Sequence, residues 1–86
     1  MSACSQQNFT NLTPAVWQCL VAKAASYGVT VSSNSGNVTK SGFTIAWNYD
    51  PASQTGNIQC TNSPWWAPCS MINSKISGIA KGCGAN

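Results

Sequence analysis

The chain has no histidine and no arginine, and Asp50 is its one acidic residue. These absences remove most familiar catalytic arrangements. Glycoside hydrolysis by paired carboxylates needs two acids. Imidazole proton transfer and Ser-His-Asp triads need histidine. Hard cations such as calcium need several carboxylate oxygens. Tetrahedral zinc favours Cys or His pairs two to four residues apart, whereas Cys4, Cys19, Cys60, Cys69 and Cys83 stand at least nine positions apart. There is no glycine-rich phosphate loop, and Lys81-Gly82-Cys83-Gly84 reads as a helix end. Neither a metal nor a cofactor is expected, and the composition argues against an enzyme. Charged residues make up 6% of the chain, against about 25% in ordinary proteins. The four lysines, Lys23, Lys40, Lys75 and Lys81, are scattered. Nucleic acid, which asks for clustered Lys/Arg, is therefore not an expected partner. No apolar run is long enough to span a bilayer, so no transmembrane segment is expected.

What is present is a chain of 86 residues with 43% hydrophobic content and five cysteines. That length makes one domain, residues 1–86. Such a domain buries only roughly 60–65% of its unfolded surface, which leaves a small core. Dense cysteine in a short, charge-poor chain reads as a disulfide framework, and hence as an exported protein: periplasmic, surface-associated or secreted. The odd count leaves one thiol over. No signal-peptide pattern opens the chain, and Met1-Ser2-Ala3 reads as a start placed on a mature domain whose export signal has been removed. Asn8, Asn11 and Asn37 each stand two residues before a threonine and match the glycosylation pattern, which matters only in a eukaryotic secretory route.

Along the chain, residues 1–11 read as a polar N-terminal arm. Thr13 and Pro14 mark a helix start, with Leu12 and Trp17 placed as a hydrophobic staple. This helix is expected to run to about Tyr27 and to end at Gly28. Val29 to Ser32 alternates like a strand, and Asn34 to Asn37 carries turn chemistry. Gly42 to Tyr49 is the clearest strand, with Phe43, Ile45, Trp47 and Tyr49 on one face. Asp50-Pro51 opens a loop to Gly56, and Asn57 to Thr61 forms a third strand. The last helix is expected over Cys69 to Lys81, with Gly82 as its stop, on the stripe Cys69, Ile72, Ile76, Ile79 and Cys83. The expected fold is α+β: a two-layer α-β-β-β-α arrangement, with both helices on the apolar face of a three-stranded antiparallel sheet.

Successive chain reversals in that order make the two helices parallel. They also place Cys60 and Cys69 at one end of the molecule. The expected bridges are Cys60–Cys69 and then Cys4–Cys19, with Cys83 as the free thiol and Cys4–Cys83 as the rival. A bridge between Cys69 and Cys83 is ruled out, because about 20 Å of helix separates them and bridged Cα atoms lie within about 7 Å.

Two features bear on contacts. Trp65 and Trp66 sit side by side in a proline-flanked loop, where they either cover the end of the core or form an aromatic contact platform. The opposite sheet face (Thr30, Ser32, Thr44, Asn48, Asn57, Gln59, Thr61) is polar and almost uncharged. Cys69, after Pro68 at a helix start, is the one position suited to a reactive thiol, with a structural bridge as its other reading.

The Ser/Asn/Thr-rich surface, the Cys60…Cys69…Cys83 tail and the loop Pro64 to Cys69 resemble the small exported proteins of unknown function from Gram-negative bacteria, of the Burkholderia antigen type. That resemblance implies a secreted or surface-associated protein seen by antibodies, without known catalysis. A sheet strand followed by a cysteine-closed tail also resembles pilin head domains, but the long apolar N-terminal helix of pilins is missing. Three readings follow: a non-catalytic exported binding or antigenic protein, monomeric, that meets a protein or glycan through Trp65-Trp66; an assembly subunit using the polar sheet or Cys83; and a thiol enzyme using Cys69.

Overall fold

The computed structural model describes residues 3–86; Met1 and Ser2, part of the expected arm, lie outside the described residues. The fold is α+β. Its elements are β1 (Gln7–Phe9), α1 (Pro14–Ser26), β2 (Ser35–Lys40), β3 (Phe43–Asp50), β4 (Thr55–Asn62) and α2 (Cys69–Cys83). The four strands form one antiparallel sheet in the order β1-β4-β3-β2.

Local chemistry explains the helix boundaries. The Thr13 hydroxyl accepts from the Val16 N–H, and Pro14 occupies the first turn. Gly28 stops α1 at φ +84°, with the Val29 N–H reaching back to the Ala24 carbonyl. The same closure ends α2, where Gly84 takes φ +114° and the Ala85 N–H donates to the Ala80 carbonyl. The stop is therefore Gly84 rather than the expected Gly82. The last residue is tied down as well: Asn86 and Thr10 exchange both backbone hydrogen bonds.

The sheet has four strands where three were expected. Part of the polar arm is β1, which pairs with β4. Ser35 to Lys40, expected to begin as a turn, is β2 and pairs along its length with β3. Its strand character comes from Trp47. The indole lies against Gly36, where a Cβ would come within 3.3 Å of the ring, and its N–H donates to the Ser33 carbonyl. The reversal comes later, at Ser41-Gly42, where φ is +54° and +86°. Two consecutive positive φ values make the two-residue turn that matches strand twist. Val29 to Ser32 lies outside the ladder.

Three strands still separate the helices. The connection from α1, however, starts at Gly28, beside Lys40 at the end of β2, and runs back along the sheet before β2 begins. It reaches Asn34, which accepts from the Tyr49 N–H beside the start of β2. This added reversal turns the helices antiparallel, against the parallel expectation. Cys19, early in α1, is bridged to Cys83 at the end of α2. At the other end of the pair, the Lys75 ammonium lies 5.2 Å from the centroid of the Tyr27 ring. The bridge pattern changes with it. The bridges are Cys4–Cys69 and Cys19–Cys83, with Cα separations of 5.3 and 5.7 Å, and the free cysteine is Cys60. Cys4–Cys19 and Cys4–Cys83 fail because Cys4 is held beside Cys60, whereas β1 ends at Phe9 opposite Gly56, about 14 Å back along β4 and toward the start of α1. Cys60 and Cys69 do share an end of the molecule. Cys4 is held there too, its N–H bonded to the Cys60 carbonyl at 2.8 Å, and it is Cys4 that takes Cys69. Each bridge spans a sequence separation near 65, worth about 4 kcal/mol alone by the loop-closure argument.

Two buried clusters make the core. One gathers Phe9, Leu12, Leu20, Tyr49, Ala80 and Ala85. The other gathers Cys4, Cys60, Ala67 and Ile72 around the Cys4–Cys69 bridge. Tyr49 belongs to the first: its ring stacks on Trp17 at 4.5 Å, and its hydroxyl donates to the Leu12 carbonyl at 2.8 Å. Tyr49→Phe keeps the stack and strands that buried carbonyl. It should lower unfolding stability by about 1–2 kcal/mol, read as an earlier denaturation midpoint with an unchanged slope.

Candidate binding groove

Both helices lie on the apolar face of the sheet, but they do not cover it evenly. α2 packs on β1 and β4, and α1 packs on α2. The face of β3 beside β2 therefore has no helix directly upon it, and Phe43 and Ile45 stay half-buried. Between this face and the two helices runs an apolar groove of about 840 Å³. Phe43, Ile45, Trp47 and Ile58 form its floor. Leu20, Val21 and Ala24 of α1 form one wall, and Met71, Ile72 and Ile76 of α2 the other. Val29 and Val31 close the β2 side. Met71 to Ile79 spans about 12 Å of helix, and Phe43 to Trp47 about 14 Å of strand, which sets the length of the groove.

The groove contains one kind of charge. Lys40 and Lys75 are on its lining, and no acid is. Asp50 ends β3 and accepts the Ala52 N–H within its own turn, the expected role of a residue before proline.

Trp65 and Trp66 are 89% and 58% exposed, so they do not cap the core. Ala67 and Ser63 are the buried residues of that loop. Trp66 meets Phe43 edge to face at 5.8 Å. Since Phe43 is also groove floor, the aromatic pair adjoins one end of the groove. The polar sheet face is largely occupied with itself: Thr39 and Thr44 share a hydroxyl hydrogen bond, and the Gln59 amide donates to the Cys4 carbonyl. Thr30 and Ser32, expected on that face, stand outside the ladder.

The thiols are placed differently from expectation. Cys83, expected free, is bridged to Cys19. Cys69, the candidate nucleophile, is bridged to Cys4. The free thiol of Cys60 is 0% exposed and donates to the Asn62 carbonyl at 3.1 Å. Burial, the larger cause, pushes this thiol above its ordinary value, and a backbone hydrogen bond from Asn62 to the sulfur, which favours the thiolate, acts in the opposite direction. A raised folded-state value means that its contribution to stability is complete below the unfolded-chain value, and is lost as pH rises through the raised one.

Sequence reasoning picked out Trp65, Trp66 and the floor residue Phe43, but not the groove. The available signal was the width of the apolar surface. Both helices and the Val29-Thr30-Val31 segment offer apolar side chains to one short sheet face, more than the strands expected there could cover.

The buried, protonated thiol leads to a labelling prediction. Native protein treated with iodoacetamide at neutral pH without reductant should gain no label, whereas the unfolded, unreduced chain should gain one, on Cys60. Intact mass and peptide mapping read both. Comparison with protein-family models, with curated proteins and with solved structures finds no match for this chain.

Proposed function

We propose that this chain is a non-catalytic exported binding protein, whose contact surface is the apolar groove together with the Trp65-Trp66 loop at its end. The observation that carries the reading is the groove. A cleft of about 840 Å³ falls within the range of small-molecule sites, about 300–1,000 Å³. Two long-range disulfides support export, because such bridges persist in oxidising compartments. No described helix is long and apolar enough to cross a membrane. The resemblance to exported antigens of Gram-negative bacteria belongs to the same proposal, as a secreted or surface-associated protein that antibodies can reach.

The other two readings have less support. A thiol mechanism needs Cys69 free, and the Cys4 bridge holds it. Assembly through Cys83 needs a thiol that the Cys19 bridge consumes.

The test uses an uncharged fluorescent apolar probe such as N-phenyl-1-naphthylamine. The folded protein should bind it, with a change in emission from Trp17 and Trp47, which both line the groove. Ala24→Phe places a ring into the cleft from a half-buried helix position. It should weaken binding by about tenfold, the effect of obstructing most of the buried contact, while the unfolding midpoint stays within a few degrees of wild type. A folded wild-type protein that binds no apolar probe would overturn the reading.

A further inference from the structure

The charges around the groove are unevenly placed. Lys40 reaches toward the end of α1: a Cβ on Gly28 would stand 3.0 Å from its ammonium nitrogen. Lys75 comes from α2 and rests its ammonium over the ring of Tyr27, the neighbouring residue. Lys23, in the last turn of α1, lines a second, shallower cleft together with Tyr27 and Lys75. Lys40 and Lys75 thus meet at one mouth of the groove, where α1 ends, with Lys23 on the adjoining cleft. The single acid, Asp50, is at the other end of β3, about 24 Å along the strand from Phe43. That is beyond two Debye lengths at physiological salt, so it does not neutralise the mouth.

An apolar cleft with cations on one rim is chemically matched to a molecule with an apolar tail and an anionic head. We propose, building on the binding reading above, that the groove holds one single-chain anionic amphiphile, a free alkyl carboxylate of medium length. Its tail lies over Phe43, Ile45 and Trp47, and its head meets Lys40 and Lys75. The length of the groove, about 12–14 Å from the helical and strand rises, admits one medium alkyl chain laid along it. The tail supplies most of the affinity through apolar burial. The lysines decide the head group, because exposed ammonium groups discriminate charge more than they add affinity. Tyr27, half exposed beneath Lys75, gives the head an aromatic edge beside the cation.

The experiment titrates the intact, oxidised protein with dodecanoate, dodecanol and dodecyltrimethylammonium, each below its aggregation threshold. Tryptophan emission and titration calorimetry read binding, and analytical sizing runs in parallel. Dodecanoate should bind about tenfold tighter than the cationic amphiphile, the ratio that two partly exposed charge contacts supply. Lys40→Gln with Lys75→Gln should abolish that preference and leave dodecanol binding unchanged, whereas Lys81→Gln should change neither. Added salt should narrow the preference. Equal binding of all three heads would overturn this inference and leave the groove reading standing. Failure of every amphiphile and of the apolar probe would overturn both. A dimer on sizing that dissociates only when the groove is obstructed by Ala24→Phe would also overturn it, in favour of a second copy as occupant.

Discussion

The Cys19–Cys83 bridge joins the first half of α1 to the last residue of α2, and much else depends on where it pins them. It sets the helices antiparallel, with their tied end beside Leu12, Tyr49 and the C-terminal strap of Ala85 and Asn86. The backbone of α1 is thereby carried on α2, and α1 reaches the sheet through Trp17 on Tyr49. With no helix backbone close over the Phe43 end of β3, the apolar face there has walls but no lid. The groove is thus a consequence of helix placement, and it needs no unusual residue of its own.

The second bridge does a different job. Cys4–Cys69 closes the opposite end, where β1, β4 and the start of α2 converge on Cys60 and Ile72. Between the two bridges, the small number of fully buried side chains is enough. Leu12, Cys60 and Ser63 are the largest that are wholly enclosed. A domain of this size lacks the interior volume to hold itself by apolar burial alone, and restricting the unfolded chain makes up the difference.

Much of the fold could be read from the chain, and the parts that could not have a common cause. α1 was legible because Thr13, Pro14 and Gly28 act within a single turn. α2 was legible from its apolar stripe, and β3 from strict alternation. β2 was not, because Ser35, Gly36 and Asn37 carry turn chemistry, and the side chain that makes them a strand, Trp47, is eleven positions beyond Gly36. β1 is three residues long, too short for any periodicity. Reading Val29 to Ser32 as the first strand, when it is a crossing that precedes β2, reversed the relative direction of the helices and hid the Cys19–Cys83 bridge. The placement of Cys4 beside Cys60 decided the other bridge. The groove was out of reach for a related reason: Ile45, Ala24 and Met71 are ordinary apolar positions one by one, and only tertiary placement leaves them facing open space. Trp65 and Trp66 were singled out by their loop, but composition did not decide between covering the core and facing solvent.

The central claim is the helix arrangement, and the disulfide map tests it most directly. Unreduced protein, blocked at low pH, digested and sequenced by mass spectrometry, should yield peptides joining Cys19 to Cys83 and Cys4 to Cys69, with Cys60 alone. Recovery of Cys19 in any other bridge, such as Cys4–Cys19, would contradict the antiparallel helices, and the groove between them would go with it.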